Sequence, residues 1–393
     1  MKLLFTQGGS RLKLSDKGLW YTDPNFTPEV WNRYLSVCDH LTIILRKENI
    51  IYDDGFAKSK FNLVPSQIEV IALDDLLVPK YNLLNYNKWA EIKKIYSEQV
   101  SKADKIIIRA ESIYSKICFD ECIKQQKKYL YEVVGFAYES LSYHSLLGKL
   151  SANYFESLAK KIAYNAAASI YVTEEALQKR YPSKVMMGCS DVELDNANDD
   201  VLIKRINKVR SSNVSKKIII GTAAFLDVKW KGQSLVIEAL KELQDRGYNN
   251  VYYELVGVGK GDEIKTLANK LGVSGKVVII GAKPHKEIFS WLDHIDLYVQ
   301  PSYQEGLCRI IVEAMSRACP VVCSNTGGNY ELISKDYLTE CGNVSDIVLK
   351  IENIFQDMEK QARDNFEKSK KFDKQILNKK RFDFLKSFVD DMF

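Results

Sequence analysis

The chain has 393 residues, of which 46% are hydrophobic and 27% charged, a balance typical of a folded globular protein rather than a disordered one. This length exceeds what one ordinary hydrophobic core supports, so two domains are expected. The net charge of +5 is too small for a nucleic-acid-binding protein, and no apolar run reaches the ~18 residues that a membrane-spanning helix needs.

The positive excess lies in the first half of the chain. Residues 1–190 hold 26 Lys+Arg and 21 Asp+Glu, whereas the remainder holds 30 of each. Such a surface suits peripheral contact with anionic lipid, although five spare charges also serve plain solubility. The eight cysteines are scattered and are expected to be reduced thiols of a cytoplasmic protein, at most peripheral on the inner face of the cytoplasmic membrane.

Short strand-like runs separated by helical stretches indicate an α/β domain over residues 1–192. These runs are KLLFTQGGS, LTIILRK, QIEVIALD, DKIIIRAES, YLYEVVGF and ASIYVTEE. The polar run 187–200 is the candidate interdomain linker, because it is weakly patterned.

The second half alternates strands and helices more clearly, from KKIIIGTAAF (216–225) to PVVCSN (320–325). This spacing predicts a parallel, doubly wound sheet in a second domain over residues 193–370. A terminal helix over 371–393 is expected to pack back toward the first domain. Two such domains bind ligands at the carboxyl ends of their strands, so we expect a cleft between them.

The stretch PSYQEGLCRIIVEAM carries Glu305 at the end of a predicted strand and Glu313 inside an apolar helical run. With a helix from Gly306, ~1.5 Å per residue puts the two carboxylates about 12 Å apart along the axis, too far for a glycosidase pair. The amides of Gly306, Leu307 and Cys308 at the helix start would form an anion site between them. This layout suits a nucleoside-diphosphate sugar.

A plainer interpretation stays open at this point. Arg309 follows Glu305 by four residues and Arg317 follows Glu313 by four, so both glutamates could form simple helical ion pairs. That alternative leaves the turn at Gly306 unexplained.

The segment resembles the E-x7-E motif of retaining glycosyltransferases of family 4, which have the GT-B fold. The neighbouring PS, EGL, EAM, PVV and TGG (326–328) match as well, as do WKGQ (230–233) and VGVGK (256–260). The resemblance covers residues 216–334 and reaches the first half only through architecture. It implies a donor-binding second domain and an acceptor-binding first domain.

The resemblance also implies roles for individual residues. Lys231 would sit against the donor diphosphate, and Lys229 would replace an arginine that family members usually place after the first-strand glycine. Further donor contacts would come from Gly8 and Gly9 in a turn after the first strand, from the turn at Gly257, and from Gly281 and Lys283 beside the base.

The implied reaction retains the anomeric configuration by front-face attack, with the leaving diphosphate taking the acceptor proton. Glu139 and His144 are candidate polar groups on the acceptor or sugar side. The chain has no D-x-D motif and no histidine at metal-ligand spacing, so we expect no metal and no other cofactor, with Lys231 neutralising the diphosphate.

The sequence therefore predicts a hexosyltransferase that moves sugar from a nucleotide sugar, UDP-linked rather than GDP-mannose, to a glycan or lipid-linked acceptor in surface polysaccharide synthesis. Three alternatives remain: a GT-B sugar-nucleotide epimerase, an NAD-type dehydrogenase suggested by VGVG, and a non-catalytic nucleotide-sugar binder. The chain shows no acid/base cluster of the kind that an epimerase needs, and it lacks the G-x-G-x-x-G spacing of an NAD-type dehydrogenase.

Overall fold

The structure is a computed structural model that describes residues 1–143, 146–192, 194–195, 198–211 and 217–393. Its residues form two compact units. Unit 1 comprises residues 1–189 together with 378–393, and unit 2 comprises residues 190–377.

Unit 1 is built on a mainly parallel sheet with the strand order β5-β3-β1-β6-β7-β8-β9. Its strands are β1 (Lys2–Ser15), β2 (Trp20–Thr22), β3 (His40–Tyr52), β4 (Asn62–Leu63), β5 (Ile68–Leu73), β6 (Lys105–Arg109), β7 (Tyr129–Val133), β8 (Ala168–Tyr171) and β9 (Met186–Gly188). Strand β2 pairs antiparallel with the end of β1, and β4 extends it.

The helices of unit 1 connect these strands and cover the sheet. They are α1 (Pro28–Leu35), α2 (Asp54–Lys60), α3 (Tyr86–Lys102), α4 (Ile113–Lys124), α5 (Ala137–Ser142), α6 (Leu146–Asn165) and α7 (Ala176–Arg180). Strand β6 is buried along most of its length and β7 throughout, because helices shield a parallel sheet on both faces. The core packs their Ile and Tyr side chains against α3, α4 and α6.

The predicted turn at Gly8 and Gly9 is wrong, because both glycines lie inside β1. The strand bulges there: Thr6 pairs with Ile44, and pairing with β3 resumes only at Arg11. A Cβ on Gly8 would lie 2.1 Å from the Oγ of Ser112. Glycine at this position therefore leaves room for the start of α4.

Unit 2 contains a parallel sheet with the strand order β12-β11-β10-β13-β14-β15. Its strands are β10 (Ile218–Ala223), β11 (Val251–Val256), β12 (Val277–Gly281), β13 (Leu297–Gln300), β14 (Val321–Ser324) and β15 (Leu338–Thr339). The doubly wound parallel sheet predicted from the alternating pattern is confirmed.

The helices of unit 2 begin with α8 (Asp199–Arg210), α9 (Gln233–Asp245), α10 (Asp262–Lys270) and α11 (His285–His294). They continue with α12 (Arg309–Ser316), α13 (Asn329–Leu332), α14 (Val344–Ser369) and α15 (Lys374–Val389), the last of which belongs to unit 1 from Asn378 onward. Helix α9 shows why they form: its buried residues recur with helical spacing and give it one apolar face toward the sheet. No helix in the described ranges combines the length and apolarity that crossing a bilayer requires.

Candidate active site

The site of unit 2 begins at the point where the strand order reverses. Strand β10 is flanked by β11 on one side and β13 on the other, so the connections after β10 and after β13 leave the sheet in opposite directions. A doubly wound sheet opens a crevice at this switch point, beyond the carboxyl ends of the two strands.

The loops after β10 and β13 are held together by backbone contacts. The amide of Tyr303 donates to the carbonyl of Trp230 at 2.8 Å. Gly232 has φ of 72°, and a Cβ there would lie 2.2 Å from the carbonyl oxygen of Pro301. The Lys-Gly element thus needs its glycine so that Lys231 can be presented above the end of β13.

Lys231 and Glu305 form an ion pair across this switch point. The Lys231 Nζ lies 2.7 Å from the Glu305 Oε1, and the two side chains are 23% and 9% exposed. Burial works against the Lys231 cation, but the Glu305 carboxylate outweighs it, so the pKa of Lys231 is raised above its ordinary value. The ammonium group is therefore charged at neutral pH, and a fixed cation stands at the crevice.

A third loop, after β14, supports the backbone around Glu305. The amide of Gly328 donates to the carbonyl of Gly306 at 2.7 Å, and the Thr326 hydroxyl donates to the carbonyl of Tyr303. The TGG run is thus a brace for the loop that carries Glu305.

A buried polar chain lies beneath the site and was not identified from the sequence. The Tyr298 hydroxyl donates to the Gln300 side chain, whose amide donates to the Ser302 Oγ at 2.7 Å. These residues alternate along β13 and the start of its loop, and this period-2 polar pattern inside a buried strand was the available signal. A fully satisfied chain of this kind fixes the loop above it.

Helix α12 starts later than predicted. Its first residue is Arg309 and its N-cap is Cys308, so the amides of Gly306 and Leu307 belong to the preceding loop, and the axial spacing of about 12 Å between the glutamates does not apply. The amides that a helix leaves without intrahelical partners begin at Arg309 here. Burial raises the pKa of the Cys308 thiol well above its usual range, and Glu305 raises it further.

Glu313 is buried in α12 and its carboxylate is held by His285. The His285 Nε2 lies 3.0 Å from the Glu313 Oε1, although the imidazole itself is 60% exposed. His285 is the first residue of α11 and was given no role from the sequence. No local sequence pattern links His285 to Glu313, which lies 28 residues further along the chain.

The interpretation of both glutamates as helical ion pairs does not describe this geometry. The partner of Glu305 is Lys231 and the partner of Glu313 is His285. Arg317 instead makes a bidentate pair with Asp293, at 2.8 and 2.6 Å.

The turn at Gly257 is involved in internal contacts. The Gly257 amide donates to the carbonyl of Gly281 at 3.0 Å. The start of the following helix, α10, holds the carboxylate of Asp227, which accepts from the amides of Gly261 and Lys260 at 2.8 and 3.0 Å. These two hydrogen bonds hold the pKa of Asp227 below its usual value. The chain's own carboxylate thus occupies this helix start.

The structure places the other two predicted donor lysines in local ion pairs. Lys229 is 82% exposed and lies 3.2 Å from Glu263 on α10. Lys283 pairs with Glu287 one turn further along, at 3.1 Å. Gly281 ends β12 with φ of 88°.

On unit 1, Glu139 lies on α5 with its Oε1 3.7 Å from Arg180. Its Oε2 is buried and has no hydrogen-bond partner among the residues that the structure describes. His144 falls outside the described residues. Within the described part of the chain, no three His, Cys, Asp or Glu side chains come together as a metal site would require.

Comparison with known proteins gives these features a family. A family model described as "Glycosyl transferases group 1" matches residues 203–372. Staphylococcus aureus protein CapJ is 32% identical over 340 residues, which span 86% of this chain and 82% of CapJ. The amylovoran biosynthesis glycosyltransferase AmsK of Erwinia amylovora is 28% identical over 156 residues, 38% of each chain.

Among solved structures, Anabaena HepE in complex with UDP aligns with a TM-score of 0.64 at 18% identity, covering 98% of this chain and 100% of HepE. That likeness shows the fold, which is GT-B with two parallel-sheet α/β domains. The fold predicted from the sequence is confirmed. With the family match over unit 2 and the near full-length similarity to CapJ, the chain belongs to the group 1 glycosyl transferases.

Proposed function

We propose that this glycosyltransferase moves a sugar from a nucleoside-diphosphate sugar to a glycan or lipid-linked acceptor with retention of configuration, as a family 4 enzyme with an E-x7-E site. The observation that carries the proposal is the Lys231–Glu305 pair at 2.7 Å, at the switch point of unit 2. A cation and a carboxylate at that point match the two ends of a sugar diphosphate: phosphate oxygens and sugar hydroxyls.

Lys231 would stabilise the charge that develops on the leaving diphosphate. Its raised pKa keeps it charged, and the buried surroundings strengthen its field compared with water. Because Glu305 compensates the cation inside the protein, diphosphate binding would release this carboxylate to accept hydrogen bonds from the donor sugar. Glu313, in helix α12 directly after this loop, would bind the ribose diol.

A retaining front-face reaction needs no protein nucleophile, and the state of the Cys308 thiol suits that scheme. Cys308 is buried and its pKa is raised, so the thiol stays protonated and inert. The leaving diphosphate would accept the proton of the acceptor hydroxyl. Metal-independent transfer is part of the proposal, because Lys231 already supplies a positive charge at the diphosphate.

The names of similar proteins support the choice of donor and acceptor. HepE has been solved with UDP and with UDP-glucose, so uridine donors are the first to test. AmsK is named for the biosynthesis of a polysaccharide, amylovoran. Surface polysaccharide synthesis is therefore the setting we propose for this chain.

The test is a thermal-shift screen of UDP-, GDP- and ADP-sugars, followed by donor hydrolysis with each hit and by NMR of the released sugar's anomeric proton. We expect a UDP-sugar to stabilise the protein and the first-formed product to keep the α or β configuration of the donor. Inversion would reject the retaining assignment. Stabilisation without any turnover, with a range of glycan acceptors present, would favour a non-catalytic binder.

Glu305→Gln separates the proposed sugar contact from the nucleotide contacts. We expect it to spare UDP binding and to lower turnover at saturating donor, because the amide keeps the shape but loses the carboxylate acceptor. A variant that loses UDP affinity and keeps turnover would reverse the assigned roles.

A further inference from the structure

Among the large apolar side chains that unit 1 exposes to water, two groups lie at the approach to α3 and in the first turns of α6. Leu84 and Tyr86 are 89% and 81% exposed, and Leu146 and Leu150 are 77% and 74% exposed. Single exposed apolar residues are ordinary, but grouped ones mark a surface that contacts something other than water. The full set, called the apolar edge, is Tyr81, Leu83, Leu84, Tyr86, Leu146, Leu147, Leu150 and Tyr154.

The topology places both groups on the same side of unit 1. Helix α3 connects β5 to β6, α4 connects β6 to β7, and α6 lies between β7 and β8. In the sheet order each of these connections moves in the same direction, so right-handed crossovers put all three helices on one face. Helices α3 and α6 both begin at the carboxyl edge of the strands, which brings their exposed first turns to a common edge. Helix α4 links the other two: it contacts α3, and its Lys116 lies near Tyr154 of α6.

Positive charge surrounds this apolar edge. Around the start of α3, the basic residues are Lys80, Lys88, Lys93 and Lys94, with Glu91 as the acidic one. Along α6 they are Lys149, Lys160 and Lys161, with Glu156 as the acidic one.

Part of this charge is compensated inside the unit. Asp74 pairs with Lys88 at 3.1 Å, and the Glu156 carboxylate is turned inward toward Arg180 and Tyr181, at 2.6 and 2.7 Å. The same carboxylate also pairs with Lys160 at 3.2 Å, so on α6 the positive charge beside the apolar edge comes from Lys149 and Lys161.

We propose that the apolar edge of unit 1 docks on a bilayer that contains anionic lipid. The leucines would enter the boundary between headgroups and acyl chains, the tyrosines suit the wet side of that boundary, and the lysines would meet the lipid phosphates. A second copy of the chain fits less well, because a two-fold contact through this edge would bring its lysines close to their own copies.

The inference goes beyond sugar transfer and can fail independently of it, because binding is measured without any substrate. The experiment is flotation of the full-length chain with vesicles of phosphatidylcholine alone and of phosphatidylcholine mixed with phosphatidylglycerol. We expect flotation with the anionic vesicles only, and weaker flotation as salt rises.

Two double variants test the apolar residues: Leu84→Ser with Tyr86→Ser, and Leu146→Ser with Leu150→Ser. Each pair should weaken partitioning by on the order of tenfold or more, because the lost side chains no longer leave water. The matched control is Ile203→Ser with Ile376→Ser, since these isoleucines of unit 2 are 57% and 55% exposed and lie outside the apolar edge. The thermal midpoint and donor hydrolysis should be unchanged in all three.

Lys80→Gln with Lys149→Gln tests the charges and should cost about fivefold in partitioning for each lysine. A wild-type chain that stays with the soluble fraction overturns the proposal, and so do serine variants that float as the wild type does. Concentration-dependent self-association that the serine variants abolish, without flotation of the wild type, would assign the edge to a second copy instead.

Discussion

The sheets of the two units follow the same strand order up to the sixth position. Different residues, however, lie at the point where that order reverses. In unit 2, Lys231 lies in the loop after β10 and Glu305 in the loop after β13, and the two form an ion pair at the crevice between these strands. In unit 1, at the matching point between β1 and β6, Ser112 packs against Gly8 and β1 continues past the edge to Ser15.

The charges at the two points differ in the same way. In unit 1, Arg109 lies 2.5 Å from Glu132, and the Tyr34 hydroxyl donates to both oxygens of the same carboxylate. Glu132 is thus enclosed by partners that other strands and helices supply, whereas Lys231 and Glu305 lie on loops at an edge. The topology provides the place for a ligand, and the loop residues decide whether the chain fills it.

The largest expected effect is on the stability of unit 1. Glu132→Ala would break a buried ion pair with Arg109 and remove the carboxylate to which the Tyr34 hydroxyl donates, which should cost about 3–5 kcal/mol of unfolding free energy. Urea denaturation measures it. The control is Glu359→Ala, which breaks the exposed Arg210–Glu359 pair and should cost under about 1 kcal/mol. Equal losses in the two variants would remove the structural half of the comparison.

The next effect is on catalysis in unit 2. Lys231→Ala should raise the barrier by about 2–4 kcal/mol, which is on the order of 30- to 1000-fold in kcat/KM, because a fixed charge at the diphosphate is lost. Lys241→Ala is the control, since this lysine lies on α9, is given no role in donor binding and is paired with Asp245 one turn along the helix. Donor hydrolysis rates decide the matter. Similar losses for both lysines would show a general electrostatic effect rather than a site.

A smaller effect tests whether His285 acts through Glu313. Glu313→Ala should cost about 1–3 kcal/mol of UDP affinity, because ribose hydroxyls lose their acceptor in a buried site. His285→Ala should cost less, since it only releases the carboxylate it holds at 3.0 Å.

Calorimetric titration of the double variant completes this cycle. In the Glu313→Ala background, His285→Ala should add no further loss, and pyrophosphate should bind all the variants alike. Additive losses would mean that His285 contacts the nucleotide separately.

The next prediction concerns how the stability of unit 1 depends on pH. Burial raises the pKa of Glu111, which follows β6, to about 7; Tyr131 and Glu156 are its neighbours on β7 and α6, and Tyr181 follows α7. With the folded pKa above the unfolded value, the folded state binds more protons between about pH 4.5 and 7, so this group's contribution to stability falls as pH rises through that window.

Glu111→Gln should abolish this decline and should be more stable than the wild type above pH 7. Unfolding free energies at about pH 5 and pH 8 measure it, and Glu91→Gln on the exposed face of α3 is the control. A wild-type decline that persists in Glu111→Gln would assign the titration to another group.

The smallest expected effect is that of chelation. If Lys231 neutralises the diphosphate as proposed, EDTA should change the transfer rate by less than about twofold, because the charge is supplied by the protein. Loss of activity that Mg²⁺ restores would place a metal at unit 2's switch point and remove the role given to Lys231.

The fold class and the location of the candidate site in unit 2 followed from local sequence patterns. Helical and strand periods are local properties, so the alternation after residue 216 was sufficient to predict a doubly wound sheet. The glutamates, Lys231 and the TGG run lie in short motifs whose loops close on one another, and their order along the chain implied their proximity. For the same reason the start of α12 was missed, because a loop and a first helical turn with similar composition differ only in their hydrogen bonds.

The partners of those residues, in contrast, depend on how distant parts of the chain pack together. Glu313 meets His285 across 28 positions, Glu305 meets Lys231 across 74, and Arg317 meets Asp293 rather than the glutamate one turn before it. Gly8 and Gly9 had the composition of a turn, but sheet pairing on both sides of the bulge kept them within β1. Such pairings depend on how whole strands and helices pack, and local sequence carries no information about an element that arrives from elsewhere in the chain.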